Sequence, residues 1–151
     1  MRYETPFRPV KRNLALHHSQ LKESILSKIL IIEDEPHTRR MLRRLLQREG
    51  YETLEAADGM EGLKVFLGQP VDAVLMDIYM PEKDGLELIL ELRNRHGFEN
   101  IIAISGGGIL STQNANILKT AQTFGARYTL SKPFTREALL KAIRSLCGPS
   151  A

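Results

Sequence analysis

Between residues 28 and 147 the sequence alternates five times between a short apolar run of strand length and a segment with helical spacing. No other feature constrains the fold as strongly. KILIIE (28–33) is a continuous apolar run. In the segment after it, Met41, Leu42, Leu45 and Leu46 share one helical stripe and Arg39, Arg40, Arg43 and Arg44 turn toward the other side. Pro36 suits the first turn of that helix and Gly50 its exit. YETLEAA (51–57) alternates like a strand with one wetter face, and Asp58 with Glu61 reads as a capping pair for a helix ending near Gly68.

The cycle then repeats. VDAVLM (71–76) reads as a strand, and Asp84 with Glu87 caps a helix whose Leu86, Ile89, Leu90 and Arg93 have helical spacing. NIIAIS (100–105) is a strand, followed by three glycines and a polar helix carrying Ile117, Leu118, Ala121 and Phe124. ARYTLS (126–131) is the fifth strand. Thr135 starts a last helix with Leu139, Leu140, Ile143 and Leu146 on its buried stripe. Strands this short and apolar, each separated by a helix, pair in parallel, and right-handed crossovers put helices on both faces. A closed barrel needs eight such units and more residues. The expected fold is therefore an open, doubly wound α/β sandwich, with its ligand crevice beyond the C-terminal ends of the strands.

Composition narrows the class. The chain has 151 residues, 42% of them hydrophobic, which is enough for one core without disulfides. The single cysteine, Cys147, has no internal partner, and no zinc-ligand spacing is present. Residues 1–28 carry Arg2, Arg8, Lys11, Arg12, Lys22 and Lys28 against Glu4 and Glu23, a balance of +4, so that the remaining residues sum to −1 in a total of +3. The basic character therefore belongs to the N-terminal extension, read as a solvated arm or, through Leu14, Leu16, Leu21, Ile25 and Leu26, a short docking helix. It contains no DNA-binding motif, no secretory signal and no apolar block able to span a membrane, so direct nucleic-acid binding is not expected and a cytoplasmic location is. The domain plan reads as an extension over 1–27, a folded domain over 28–147 and a short tail over 148–151.

The polar residues that interrupt the apolar runs all do so at one end: Glu33 and Asp34, Asp77, Ser105 and Lys132. Three carboxylates in one pocket repel, by about 4 kcal/mol per pair at about 4 Å and an effective dielectric of about 20. A hard divalent cation suits such an oxygen-only donor set, and Mg²⁺ characteristically keeps waters and a phosphate oxygen beside one or two carboxylates. With an ammonium and a hydroxyl added, the set suits phosphoryl transfer onto an aspartate.

ILIIEDEP, MDIYMPEKDG, AISGGG and LSKPF, in this order and at these intervals, resemble the receiver domain of bacterial two-component response regulators, over about residues 28–147. Each motif alone is weak; the four together are specific. The resemblance implies a flavodoxin-like (βα)5 sandwich with strand order 2-1-3-4-5. It implies Asp77 as the phosphoacceptor, and Mg²⁺ or Mn²⁺ held by Asp34, by Glu33 through water, by Asp77 and by the backbone carbonyl of Tyr79. Ser105 and Gly106 match the phosphate-side switch, Lys132 the lysine that pairs with the phosphate, and Lys132–Pro133 a cis peptide. The implied partners are a histidine kinase or phosphotransfer protein and a downstream protein target, with the domain a monomer or weak dimer. A stand-alone regulator or a phosphate shuttle follows from the few residues beyond Cys147, signalling by protein contact rather than acting as an enzyme.

The chain also departs from that pattern. Thr129 stands where many receivers carry an aromatic reporter, and Tyr128, next door on a strand, faces the other way and reads as a packed edge tyrosine. Two readings of Gly106–Gly108 stand: the loop becomes the moving part, or the glycines make room for phosphate. Tyr79 and Gly107 occupy the positions that govern water access to an acyl phosphate. The arginines of the first helix lie where kinases dock in this family, either selecting an acidic partner or forming a solvated face. A magnesium-dependent phosphatase would need a general acid and a substrate cap that the chain lacks. A nucleotide or flavin module would need a glycine motif after strand one rather than strand four.

Overall fold

The computed structural model describes residues 26–80, 84–106 and 112–148, and the side chains of 112–114 are not included in that description. The docking-helix reading of residues 14–25, the glycines Gly107 and Gly108, and residues 149–151 of the tail lie outside the described residues.

Among the described residues five strands, β1 (Lys28–Ile32), β2 (Glu52–Ala56), β3 (Ala73–Asp77), β4 (Ile101–Ser105) and β5 (Tyr128–Ser131), alternate with five helices. The helices are α1 (Pro36–Arg48), α2 (Gly59–Gly68), α3 (Gly85–His96), α4 (Thr112–Phe124) and α5 (Arg136–Cys147). All strand pairs are parallel, in the order β2-β1-β3-β4-β5. The doubly wound sandwich expected from the alternation is the fold of the chain.

Strand periodicity divides the core in two. Ile29, Ile31, Leu75, Ile102 and Ile104 face α1 and α5, meeting Leu42, Leu46, Leu139, Leu140 and Ile143. Leu30, Ile32, Val74, Met76, Ile101 and Ala103 face the opposite layer of α2, α3 and α4, meeting Leu88, Ile89, Leu92 and Ala121. Each fully buried Leu or Ile contributes about 1.5–3 kcal/mol. β1, β3 and β4 are covered on both sides, which is why they read as unbroken apolar runs.

Two expected stripes need correction. Met41 is 55% exposed, and α1 is anchored by Leu42 and Leu46 alone, with Leu45 partly covered. In α3 the buried positions are Leu88, Ile89 and Leu92, while Leu90 faces solvent. In both helices the apolar spacing admitted two neighbouring stripes, and only packing selects between them. Tyr128 is likewise exposed rather than packed, because β5 is an edge strand.

Helix ends follow from local chemistry. Asp58 accepts from the Glu61 amide at 2.8 Å, and the Glu61 carboxylate reaches back to the Ala57 amide, also at 2.8 Å. Asp84 and Thr135 cap α3 and α5. α3 stops at Gly97, whose φ of 61° a residue with a side chain adopts only under strain. α1 ends at Glu49, whose carboxylate accepts from Arg136 and Arg144 and ties this helix to α5.

Candidate functional site

The residues that interrupt the apolar strands converge because parallel strands all deliver their C-terminal ends to one edge. Glu33 follows β1 directly, and its amide still extends the ladder by donating to the Ala56 carbonyl at 3.1 Å. Asp77 and Ser105 are the last residues of β3 and β4, in neighbouring register. Lys132 follows β5, and its amide donates to the Ser105 carbonyl at 2.9 Å. The Lys132–Pro133 peptide is cis.

Asp77 is only 7% exposed. One oxygen, Oδ1, accepts from the Tyr79 amide at 3.0 Å, which turns the chain sharply after β3. The other, Oδ2, accepts from Lys132 Nζ at 3.2 Å. The turn is tight: a Cβ on Gly85 would lie 2.7 Å from the Ile78 Cα, so the start of α3 packs directly on the backbone beside Asp77. Gly106 plays a similar part across the site, since a Cβ there would sit 3.3 Å from Lys132 Cδ. Ser105 is fully buried at the end of β4, and Thr129 lies half-buried on β5 opposite Ala103.

Glu33 is 2% exposed. Its Oε1 accepts from the Glu35 amide at 3.3 Å, whereas its Oε2 is buried without a hydrogen-bond partner, the nearest cation being Lys132 Nζ at 3.5 Å. Burial first, and then the charges of Asp77 and Asp34, raise the pKa of this carboxyl; Lys132 and the Glu35 amide only partly oppose them. Burial alone would lower the pKa of Lys132, but Asp77 and Glu33 together outweigh it and hold the ammonium above its usual range.

Asp34 completes the group from the exposed side. One oxygen from each of Glu33, Asp34 and Asp77 lies within 4.8 Å of the others. Among the described residues one ammonium, Lys132, faces these three carboxylates, and the buried Glu33 Oε2 has no hydrogen bond beyond that ion pair at 3.5 Å. That combination fits a hard divalent cation: the donors are all oxygen, their charge is undercompensated, and the orphaned Glu33 oxygen has an unmet electrostatic need. The pocket mouth, about 520 Å³, is also lined by Glu35, Thr38, Tyr79 and Gly106, and Tyr79 is 48% exposed there.

Glu35 and Thr38 were not singled out by the sequence reading. Glu35 is the N-cap of α1: it accepts from the His37 amide at 3.0 Å, the Thr38 amide at 2.6 Å and the Thr38 hydroxyl at 2.8 Å. The signal was a hydrogen-bond acceptor directly before Pro36. Glutamate is not among the preferred capping residues, so the signal is faint.

The comparisons with known proteins agree with this geometry. Residues 29–144 match the family model of the response regulator receiver domain. The chain is 37% identical over 117 residues to the CAI-1 autoinducer sensor kinase/phosphatase CqsS of Vibrio cholerae, a span of 77% of this chain and 17% of that protein. It is 34% identical over 119 residues to the response regulator MprA of Mycobacterium sp. (strain KMS), covering 79% of this chain and 50% of that one. The chain thus spans half or less of the length of these curated relatives. Among solved structures, a response regulator receiver domain protein from Clostridium thermocellum superposes with a TM-score of 0.74 at 30% identity, covering 81% of this chain and 94% of that one. The response regulator TrrA from Thermotoga maritima, solved in complex with Mg(2+)-BeF, gives 0.69 at 31% identity, with 80% and 99% covered. The chain belongs to the response regulator receiver domain family. No helix among the described residues is long and apolar enough to cross a membrane.

Proposed function

We propose that the chain is a signalling phosphoacceptor that takes a phosphoryl group on Asp77 from a histidine kinase or phosphotransfer protein. The observation that carries the reading is the placement of Asp77: nearly buried, bound to Lys132 Nζ at 3.2 Å and yet lining an open pocket with Glu33, Asp34 and Glu35. A structural aspartate would not be gathered with other acids at an accessible mouth, where repulsion works against the fold.

In the transfer, a carboxylate oxygen of Asp77 forms the new bond to phosphorus as the phosphorus–nitrogen bond of a phosphohistidine breaks. The electron pair of that bond returns to the imidazole, which takes its proton from solvent. A carboxylate nucleophile needs no base, in keeping with the absence of one from the set. The Tyr79 amide on Oδ1 fixes the carboxylate's orientation, so that Oδ2 is the attacking oxygen. Lys132, which now pairs with Oδ2, moves its charge onto the arriving phosphoryl oxygens, and the Ser105 hydroxyl and Gly106 amide donate to them.

Glu33, Asp34, Asp77 and the Tyr79 carbonyl would hold Mg²⁺ or Mn²⁺. When bound, such a cation offsets the repulsion among the carboxylates and the charge on the phosphoryl oxygens. The complex of TrrA with Mg(2+)-BeF supports the assignment. Output then proceeds by phosphorylation-dependent contact with another protein, from a cytoplasmic location, without turnover of an external substrate.

Incubation with acetyl phosphate and Mg²⁺, followed by intact-mass measurement, tests the reading. The wild type is expected to gain one phosphoryl group and Asp77→Asn none. An unmodified wild type, or an adduct that survives in Asp77→Asn, would overturn it.

A further inference from the structure

A concave surface away from the phosphoacceptor pocket runs along α1, and its lining is rich in arginine. Arg40, Arg44 and Arg48 are spaced four residues apart, so their side chains form one row along the helix with steps of about 6 Å. With Arg136 of α5, His37, Met41 and Leu45 they line a groove of about 560 Å³. No carboxylate lines it. The other two arginines of α1 have an acidic partner: Arg39 and Arg43 share Glu55, at 3.7 and 3.2 Å. Among the described residues Arg40, Arg44 and Arg48 have no acidic partner, and the nearby Glu49 is already engaged by Arg136 and Arg144.

We propose that this groove binds a soluble, nucleotide-like polyphosphate, independently of the phosphoacceptor site. Three physical points support the assignment. Like charges at four-residue spacing destabilise a helix, and among the described residues no carboxylate pairs with the row, Arg40 meeting only the His37 ring at 3.0 Å. Compensation comes from an external anion. All four cations are arginines, whose planar forks bind phosphate in a bidentate manner that lysine cannot reproduce. Arg136 is additionally held in place by Glu49, so one fork is oriented before any ligand arrives. Finally, the volume is that of a small-ligand site, and Met41, 55% exposed beside Leu45, offers an apolar surface for a base. Phosphates lie along the arginine row and the base lies over Met41.

Calorimetric titration of the full chain with ATP and with tripolyphosphate, in EDTA at about 0.15 M salt, tests the site. The expected result is saturable one-to-one binding of both, with ATP the tighter. The double variant Arg40→Gln/Arg44→Gln should bind at least tenfold more weakly, and Met41→Ser should erase the advantage of ATP over tripolyphosphate. Uptake of phosphate by Asp77 from acetyl phosphate should be unchanged in both variants, which reports their folding and separates this site from the other. The proposal falls if neither probe binds saturably, or if binding survives the double variant, which would place it on the basic N-terminal extension. It falls equally if Asp77→Asn abolishes binding, or if the chain binds anionic phospholipid vesicles and not free ATP.

Discussion

Glu33 and Glu35 are two residues apart, carry the same functional group and line the same pocket, but the fold treats them in opposite ways. Glu33 is sealed under the edge of the sheet with one oxygen lacking a donor, and its pKa is raised, burial being the largest cause. Glu35 is fully exposed at a helix start, and the amides of His37 and Thr38, followed by the Thr38 hydroxyl, lower its pKa to about 2. Burial with too few donors makes a carboxylate a liability for folding that a cation can relieve. Donors without burial make it a support for a helix and nothing more. Proximity to a site is therefore a poor guide to function; what matters is whether the acid's needs are already met.

The sharpest way to break this comparison is to exchange the fates of the two kinds of acid. Asp77→Asn should abolish the acetyl phosphate adduct, whereas Glu35→Gln should leave adduct formation within about twofold of wild type, measured by intact mass; equal losses would erase the distinction. Next in size, Lys132→Gln leaves Asp77 and Glu33 facing each other without a counter-charge. The metal-free protein should lose about 1–2 kcal/mol in urea unfolding, below the range for a fully buried pair because the lysine side chain is 28% exposed. Millimolar Mg²⁺ should restore part of that loss.

Glu33→Gln should do the reverse. Removing one of three mutually repelling charges should stabilise the metal-free protein by on the order of 1 kcal/mol, while Mg²⁺ affinity, followed by calorimetry, falls at least tenfold. A variant both less stable and unaltered in Mg²⁺ binding would show Glu33 to be a structural residue. The smallest effect belongs to Glu35. Its folded pKa is depressed from 4.5 to about 2, so its support for α1 is complete above about pH 4.5 and is lost as pH falls toward 2. In the wild type, melting temperature should fall over that window more steeply than in Glu35→Gln, whose capping side chain does not titrate.

Most of the site was legible because its chemistry interrupts a pattern. Asp77, Ser105 and Lys132 stand out only against apolar runs of β3, β4 and β5. Glu35 offered no such contrast: it sits in an acidic stretch, Glu33-Asp34-Glu35, where nothing local separates a cap from a cation ligand. Met41 and Leu90 misled for a related reason. Both fit a helical stripe, but with 3.6 residues per turn two overlapping stripes satisfy the same spacing, and the choice belongs to the partner surface.

The sequence by itself determined the order of the elements, the parallel pairing and the gathering of polar residues at the strand ends, because strand and helix periods and the handedness of crossovers are local properties of the chain. Tertiary structure alone decided which acids are sealed and which are satisfied. It left the Glu33 oxygen without a hydrogen bond, aimed Lys132 at Asp77 and, among the described residues, gave the Arg40, Arg44 and Arg48 row no acidic partner. Those outcomes depend on burial and on distances between residues remote in the chain, and electrostatic need is set by surroundings rather than by residue type.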